Sequence, residues 1–471
     1  MKRRDSQSPG FLRRLCLLLV LAGLAISVAV PSSAAQPQNE PNAATPQASD
    51  AYSTTMAYVE QFYPLWFTYY QFQFGAPLGA TNAWVAAKEV TPLYHFCVAI
   101  NDDTLYTSVY FDLRKEPVVI TIPNTTLKYT TLTLDPYGTT IEPGLPATPG
   151  VYAFTGPGFT GTLPSGITAV PMPINFPSLY IRTIKYSPSG DNLIAAGQAF
   201  QKTLLAQTLS QYINNPEGGA AKILPEIDFA FPFKQTADLL IDKSPINFLK
   251  LLQAAVAAPN TPPLSQSAQA LSNRFNALFG NGNTDQAAFS AGARAAHATI
   301  VRNYLTHTDS SRWIHFTNIS NRGNNFLDRS SITEFLQLSN GISTAAYYHT
   351  FSDGNGNALD GGDPSGYVLT FSKDQLPQAG LFWSLTAYTP NAIELVPNSA
   401  NKYVVASYLP GLEYNSDGSL NVYMSAQQPS GVPTANWLPI PPGKFNIMLR
   451  VYGPEGDVAD NTYIPPAIQK Q

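Results

Sequence analysis

The segment NDDTLYTSVYFDL, which begins at Asn101, is the part of the sequence that most favours a chemical role. From Leu105 onward, apolar side chains alternate with polar ones, and this period of two predicts a half-buried strand. Carboxylates beside the polar face could perform acid–base catalysis, and a polar, aromatic sheet face could bind a sugar or another small polar ligand. The structural alternative is a solvated strand face, preceded by aspartates that cap a turn.

Two further segments extend this pattern. YTTLTLD places threonines on the face that leads to Asp135, and LYIRTIKY contributes Arg182. If the polar faces of these strands line one concave surface, that surface bears carboxylates and aromatic rings and suits a small polar ligand. The candidate ligand-binding residues are Asn101, Asp103, Tyr106, Asp135 and Arg182. The sequence does not identify a catalytic residue.

The segment FSDGNGNALDGGD is similar to the beginning of a calcium-binding loop. Asp353, Asn355 and Asn357 offer oxygen ligands at alternate positions, which is what calcium requires. However, the sixth position is Ala358 where glycine is expected, and the twelfth is Pro364 where glutamate is expected. We therefore favour a hairpin loop rich in turn-forming residues over a calcium site.

The histidines, the glycine-rich segment and the cysteine indicate no cofactor. The five histidines include no pair with metal-ligand spacing on one helix face, so the sequence predicts no metal site. GPGFTG matches a dinucleotide-binding pattern, but the residues that follow it do not form a helix to receive a pyrophosphate. Cys97 lies in an apolar, strand-like run and is predicted to be a small buried hydrophobe.

The N-terminal segment, residues 1–35, is typical of a secretory signal. A basic start precedes an apolar run, and Ser33 and Ala35 fit a cleavage site before Gln36. An uncleaved membrane anchor is the alternative. We expect an exported protein, located in the periplasm or outside the cell.

Composition and charge exclude several classes of protein. The formal net charge is −4, and removal of the basic signal makes the remainder more acidic, which argues against binding to nucleic acid or to anionic membranes. After the signal, no segment is long and apolar enough to span a membrane. Cys97 is the only cysteine beyond the signal, so we expect no internal disulfide.

The remaining patterns predict a fold with two β-rich parts. Apolar residues from Tyr52 to Phe74 recur on one face of a helix, which Pro64 is expected to kink or split. Segments rich in β-branched and aromatic residues lie between about 93 and 185 and again after 312, with helical patterns between them. This order predicts an α+β, β-rich fold in which a helical segment joins two β-sandwich or jelly-roll-like modules.

The same composition shifts predict the boundaries of these units. The expected units are a signal at 1–35, a disordered lead-in at 36–50, an N-terminal helix and β module at 51–190, a helical connector at 191–311 and a C-terminal β module at 312–471.

Several long motifs resemble a known family. The first half contains N-x-D-T-L-Y at 101–106 and GVYAFTGPGFTG, and the second half contains GLFWSLTAYT, DGSLNVYM and NWLPIPPGKFNIMLRVYGPEG. Over about residues 55–469 they resemble the two-part bacterial family known as domains of unknown function 1254 and 1214. The resemblance implies a two-module β-rich fold, often in exported proteins, and no established reaction. The chain departs from the family at Asp102, where arginine or asparagine is expected, and in the turn before GVY, which lacks an arginine.

Three functional hypotheses follow from these observations. The first is an exported protein that binds a small polar or glycan-like ligand on a β-sheet face. The second is a hydrolase of envelope or environmental substrates, with Asp103 or Asp135 as the general base. The third is a structural or homo-oligomeric envelope protein with no small-molecule site.

Overall fold

The computed structural model describes residues 49–72, 79–86, 95–218, 223–225, 231–280 and 285–471. Within these ranges the chain forms nine α-helices and seventeen β-strands, and the strands are arranged in four open sheets. The predicted α+β, β-rich fold is therefore confirmed. The predicted signal and nearly all of the predicted lead-in lie outside the described residues.

The N-terminal module is a sandwich of two sheets with an apolar core between them. Its strands are β1 (Trp84–Ala86), β2 (Thr104–Tyr110), β3 (Val118–Ile122), β4 (Tyr129–Leu134), β5 (Gly150–Thr155), β6 (Thr168–Pro171), β7 (Ser178–Ile184), β8 (Leu205–Thr208) and β9 (Leu224–Pro225). One sheet has the order β4-β7-β2-β1-β9, and the other has the order β6-β5-β3-β8. Val109 and Ile181 from the first sheet pack with Phe154 from the second.

The N-terminal module extends beyond its predicted end at residue 190. Strand β8 pairs with β3, and β9 pairs with β1, although both lie in the segment 191–311 that was predicted to be a helical connector. Two short helices, α2 (Ile194–Gln201) and α3 (Leu209–Asn214), flank β8. Because these strands gain their hydrogen bonds from distant partners, their local sequence carries little signal of their state.

The C-terminal module is a second two-sheet sandwich. Its strands are β10 (Ala345–Thr350), β11 (Tyr367–Phe371), β12 (Ala379–Tyr388), β13 (Val404–Ala406), β14 (Leu420–Ser425), β15 (Trp437–Pro439), β16 (Asn446–Pro454) and β17 (Gln469–Lys470). The sheet orders are β10-β16-β12-β13 and β15-β14-β11-β17. The strand-rich pattern that the sequence shows after residue 312 is therefore confirmed.

Among the described residues, five helices pack around the long N-terminal helix α1 (Asp50–Tyr70). They are α4 (Phe233–Lys243), α5 (Pro245–Val256), α6 (Gln266–Gly280), α7 (Gln286–Leu305) and α8 (Phe326–Phe335). The short helix α9 (Gly456–Ala459) follows β16 and packs in the core of the C-terminal module. Asp285 caps α7 by accepting a hydrogen bond from the backbone N–H of Ala288. Among the described helices, none is long and apolar enough to cross a membrane.

Helix α1 continues through Pro64, so the expected kink or split does not divide it. Proline has no N–H group, which leaves the carbonyl of residue i−4, Glu60, without its helical donor. The hydroxyl of Ser330 in α8 donates to that carbonyl at 2.7 Å, and the guanidinium of Arg329 donates to the next carbonyl, that of Gln61, at 2.6 Å. A neighbouring helix therefore supplies the one hydrogen bond that proline removes and adds a second bond at the next carbonyl.

Both faces of strand β2 are buried, although its sequence pattern predicts burial of one face. The face that carries Val109 lies in the N-terminal sandwich core. The face that carries Tyr106 packs in a second core with Tyr347 and Tyr452 of the C-terminal module and with the helices. The polar face of β2 therefore lies at the junction between the two modules.

Candidate functional site

The strand register separates the polar faces of β2 and β4. Tyr106 in β2 lies opposite Arg182 in β7, and Arg182 lies opposite Thr130 in β4. Directly paired residues point to the same side of a sheet, so Tyr106 shares its side with Thr130. Thr131 and Thr133 point to the opposite side. The two polar faces thus do not line one concave surface.

Asn101 organises the turn that leads into β2. Its side-chain oxygen accepts hydrogen bonds from the backbone N–H groups of Asp103 at 3.0 Å and Thr104 at 3.1 Å. Its amide nitrogen donates to the hydroxyls of Tyr106 at 2.5 Å and Tyr452 at 3.0 Å. Because Tyr452 belongs to β16, this asparagine joins the two modules.

The carboxylate of Asp103 makes a second connection between the modules. Ser384 donates to Oδ2 at 2.8 Å, Tyr408 donates to Oδ1 at 2.7 Å, and the residue is 1% exposed. Burial raises the pKa of Asp103, and these hydrogen bonds, with the charges of Arg450 and Lys185, oppose that rise. The carboxylate is therefore fully engaged within the protein.

Two buried arginines complete this arrangement. Arg450 in β16 donates to the hydroxyl of Tyr388 at 2.8 Å and to the backbone carbonyl of Ala99 at 2.5 Å. Arg182 in β7 donates to the side-chain oxygen of Asn340 and, at 2.6 Å, to the carbonyl of Leu338. Each guanidinium thus donates at least one hydrogen bond to the other half of the molecule, Arg450 to Ala99 and Arg182 to Asn340 and Leu338.

Four of the five predicted residues therefore lie together in one buried cluster. We call it the junction network, and its members are Asn101, Asp103, Tyr106, Arg182, Ser384, Tyr408, Arg450 and Tyr452. The guanidinium of Arg182 lies 5.0 Å from the ring centroid of Tyr106, which links the arginine to the rest of the network.

A polar groove lies directly beside the junction network. This junction groove has a volume of about 460 Å³ and lies between β4, the loop at 140–145 and the loop that precedes β10. Its lining residues are Thr131, Leu132, Thr133, Thr140, Ile141, Glu142, Pro143, Gly144, Leu145, Asn340, Gly341, Ser343 and Thr344. Arg182 of the junction network donates a hydrogen bond to Asn340, and Asn340 lines the junction groove.

The groove is suited to hydrogen bonding with a small ligand. Asn340 is fixed from two sides, since its side-chain oxygen accepts from Arg182 and its backbone N–H donates to the hydroxyl of Tyr347 at 2.9 Å. Glu142 is exposed, and among the described residues no cation lies within 4.0 Å of its carboxylate. Hydroxyl groups of threonine and serine supply further donors and acceptors.

Asp135, the fifth predicted residue, lies apart from the junction network. Its carboxylate accepts hydrogen bonds from the backbone N–H groups of Tyr137 at 2.9 Å and Thr139 at 2.8 Å, which is the geometry of a turn-capping aspartate. Burial raises its pKa, and the backbone hydrogen bonds together with the charges of Arg329 and Arg322 oppose the rise.

Sequence reasoning did not find a second buried cluster, which is formed among the helices. This helical charge cluster consists of Tyr63, Lys234, Asp238, His297 and Glu334. Nζ of Lys234 lies 2.7 Å from both Oδ2 of Asp238 and Oε1 of Glu334, and the hydroxyl of Tyr63 donates to Glu334. The i, i+4 spacing of Lys234 and Asp238 was the only local signal of this cluster.

Three members of the helical charge cluster have the chemistry of metal ligands. One ligand atom from each of Asp238, His297 and Glu334 lies within 4.8 Å of the others. The ammonium of Lys234 already contacts both carboxylates, so it supplies the positive charge that a metal ion would bring. These residues therefore form a charge-balanced cluster of two acids and two bases.

In the segment that is similar to a calcium-binding loop, the carboxylate of Asp353 is hydrogen-bonded within the loop itself. Oδ1 of Asp353 accepts hydrogen bonds from the backbone N–H groups of Asn355 and Asn357, each at 2.9 Å, and Oδ2 accepts from the Asn357 side chain at 3.2 Å. Asp353 is buried, and its carboxylate stabilises the turn that the loop requires.

His349 and Cys97 occupy structural positions. Nδ1 of His349 accepts a hydrogen bond from Tyr304 at 2.9 Å, and Nε2 donates to Asn446 at 2.7 Å. Burial lowers the pKa of His349 to about 3, so the ring is neutral. Cys97 is buried and is not part of a disulfide.

Two solved structures are similar to this chain. The crystal structure of the VPA0106 protein from Vibrio parahaemolyticus is 18% identical, with a TM-score of 0.55, over 89% of this chain and 100% of that one. A putative uncharacterized protein from Burkholderia cenocepacia is 14% identical, with a TM-score of 0.41, over 90% of this chain and 94% of that one. The first of these likenesses supports the fold. Among curated proteins, none matches the chain at a significant level.

Two family models match the two β modules. The family model DUF1254, described as a protein of unknown function, matches residues 81–207. The family model DUF1214, with the same description, matches residues 344–456. Their order along the chain is the one that the sequence motifs suggest. The chain therefore belongs to the two-part family of unknown function in which a DUF1254 domain precedes a DUF1214 domain.

Proposed function

We propose that this protein is exported and that it binds a small ligand rich in hydroxyl or amino groups in the junction groove. The observation that carries this proposal is the exposed carboxylate of Glu142 on the lining of the groove. The same lining includes Asn340, a buried residue that Arg182 holds in place. A groove whose wall is fixed before the ligand arrives loses little entropy on binding.

The charge of the groove defines the ligand class further. Glu142 is an exposed carboxylate, and Thr131, Thr133 and Ser343 supply hydroxyls on the same lining. A carboxylate accepts hydrogen bonds from hydroxyl or ammonium groups but offers none when ionised. We therefore favour an amino sugar or a similar polyol over an anionic ligand.

The binding role has stronger support than the hydrolase alternative. A general base must lie within hydrogen-bonding reach of its substrate. Asp103 is buried with both oxygens hydrogen-bonded, and Asp135 caps a turn. The junction groove itself is lined by the carboxylate of Glu142 and by neither of these aspartates.

Titration with glucosamine, with glucose as the uncharged comparison, tests the groove directly. We expect glucosamine to give saturation-transfer signals on the purified protein, and we expect Glu142→Gln and Asn340→Ala each to weaken its binding at least tenfold. Glu217→Gln, at an exposed glutamate outside the groove, is the matched control and should bind like the wild type. If neither sugar binds at millimolar concentration, or if all three variants bind equally, the groove is not the site.

Cell fractionation tests the export part of the proposal. We expect the protein in the periplasmic or extracellular fraction, with an N-terminus at Gln36 after removal of the basic and apolar segment. An intact chain that is confined to the cytoplasm would contradict export, whereas the ligand proposal would still stand on its own test.

A further inference from the structure

A second groove lies where β2 ends, and its chemistry differs from that of the junction groove. Two adjoining cavities of about 280 and 170 Å³ share Arg114, Phe176, Pro259 and Asn260 and so form one depression. We call it the aromatic groove. It lies between the N-terminal module and the loop that joins α5 to α6.

The walls of the aromatic groove are mainly apolar. Tyr110 and Phe111 come from the end of β2 and the residue after it, and Phe176 comes from the residues just before β7. The ring of Phe72 meets that of Tyr110 edge to face, with centroids 5.9 Å apart. Pro177 and four further prolines line the two cavities: Pro136, Pro259, Pro262 and Pro263.

One rigid polar pair interrupts these apolar walls. Arg114 donates two parallel hydrogen bonds to Asp112, from Nε to Oδ1 at 2.9 Å and from the terminal nitrogen to Oδ2 at 2.7 Å. The same guanidinium lies 4.9 Å from the ring centroid of Phe176. Asn82 fixes the backbone of Asp112 through hydrogen bonds of 2.8 and 3.2 Å.

This pair remains accessible to a ligand. The side chain of Arg114 is 54% exposed and that of Asp112 is 24% exposed. A guanidinium has five N–H donors, of which Asp112 uses two, and a carboxylate has further lone pairs. The pair therefore presents donors and acceptors side by side, with no net charge.

We propose that the aromatic groove binds a pyranose ring of a carbohydrate. A pyranose has an apolar C–H face, which packs on aromatic and proline rings, and a rim of hydroxyls, which need neighbouring donors and acceptors. The groove places both features together on a fixed scaffold, as ligand sites with few polar groups do. A free anion is disfavoured because Asp112 already neutralises Arg114.

The test uses the intact purified protein and a set of neutral disaccharides, namely maltose, cellobiose and lactose. We expect saturation-transfer signals from at least one disaccharide, strongest at the ring C–H protons. Phe176→Ala should weaken binding at least tenfold, and Arg114→Ala should weaken it several-fold. Phe159→Ala is the matched control, since Phe159 is an exposed phenylalanine of the same module that does not line the groove.

The outcomes separate this site from the junction groove. Binding that is lost in Phe176→Ala and kept in Glu142→Gln supports the inference. Binding that is lost in Glu142→Gln and kept in Phe176→Ala places the sugar in the junction groove and overturns the inference, as does the absence of binding by every disaccharide. If sodium benzoate displaces the sugar and binds more tightly, the groove is a site for planar aromatic anions, and the inference is again wrong.

Discussion

Tyr408 donates a hydrogen bond of 2.7 Å to Oδ1 of Asp103, although 305 positions separate the two residues in the sequence. With the bond from Ser384 to Oδ2, it ties the start of β2 to the C-terminal module inside the protein. The segment NDDTLYTSVYFDL therefore connects the modules at its N-terminal end and lines the aromatic groove at its C-terminal end.

Replacement of Asp103 by asparagine should destabilise the whole protein. The amide of asparagine would place an N–H group against the hydroxyl of Tyr408 or Ser384, each of which donates to the carboxylate in the wild type. The substitution would also remove the negative charge near Arg450. We expect the free energy of unfolding to fall by about 2–4 kcal/mol, measured by urea titration. Asp242→Asn, at an exposed aspartate, should leave the midpoint almost unchanged. Equal midpoints for the two variants would show that the junction network does not join the modules energetically.

The hydrogen bond from Ser330 to the carbonyl of Glu60 should contribute more to stability when residue 64 is proline than when it is alanine. We expect Ser330→Ala to cost about 1–2 kcal/mol in unfolding free energy, since it leaves a carbonyl without a donor. In a Pro64→Ala background the helix regains its own N–H donor, so the same substitution should cost less. A double-mutant cycle measures the difference, and strict additivity would contradict this explanation.

The stability contributed by His297 should fall in alkaline solution. Burial alone would lower the pKa of His297, but the carboxylates of Glu334 and Asp238 outweigh it and raise the pKa to about 9. Because the folded pKa exceeds the unfolded value of about 6.5, the stabilisation is complete below pH 6.5 and is lost as the pH rises through 9. Urea titrations from pH 6 to 10 should show a decline of up to about 3 kcal/mol that is absent in His297→Gln.

His349 should reduce the free energy of unfolding in acidic solution. Burial lowers the pKa of His349 to about 3 in the folded protein. Below pH 6.5 the imidazole is therefore protonated in the unfolded chain but neutral in the folded chain. Stability should therefore fall as the pH decreases from 6.5 towards 3. Comparison of the pH dependence of wild type and His349→Gln isolates this contribution, and identical slopes between pH 4 and 6.5 would contradict it.

Removal of Lys234 should convert the helical charge cluster into a metal site. Without the ammonium, Asp238, His297 and Glu334 keep three ligand atoms within 4.8 Å of one another. We expect Lys234→Ala to lose about 3–5 kcal/mol of stability, because two buried carboxylates then lose the ammonium group that they share. Zinc chloride should raise the melting temperature of this variant but not that of the wild type or of Lys234→Ala/His297→Ala. An equal effect on all three proteins would indicate non-specific binding.

The local sequence predicted much of the fold because hydrophobic periodicity is a local property. The segment YTTLTL was predicted to be a strand and forms β4, and the apolar face that begins at Tyr52 was predicted to be helical and belongs to α1. The order of these elements was enough to predict two β modules with helices between them. The long motifs were enough to identify the two-part family.

The tertiary structure decided which side chains meet. The sequence marked Asn101, Asp103, Tyr106 and Arg182, but the pairing of β2 with β7 and the packing of the C-terminal module placed them in a buried network. The helical charge cluster had only one short-range signal, since its members come from four helices. Alternation along a strand determines which residues share a face, whereas contacts between distant strands and helices determine whether that face is a surface, a groove or a core.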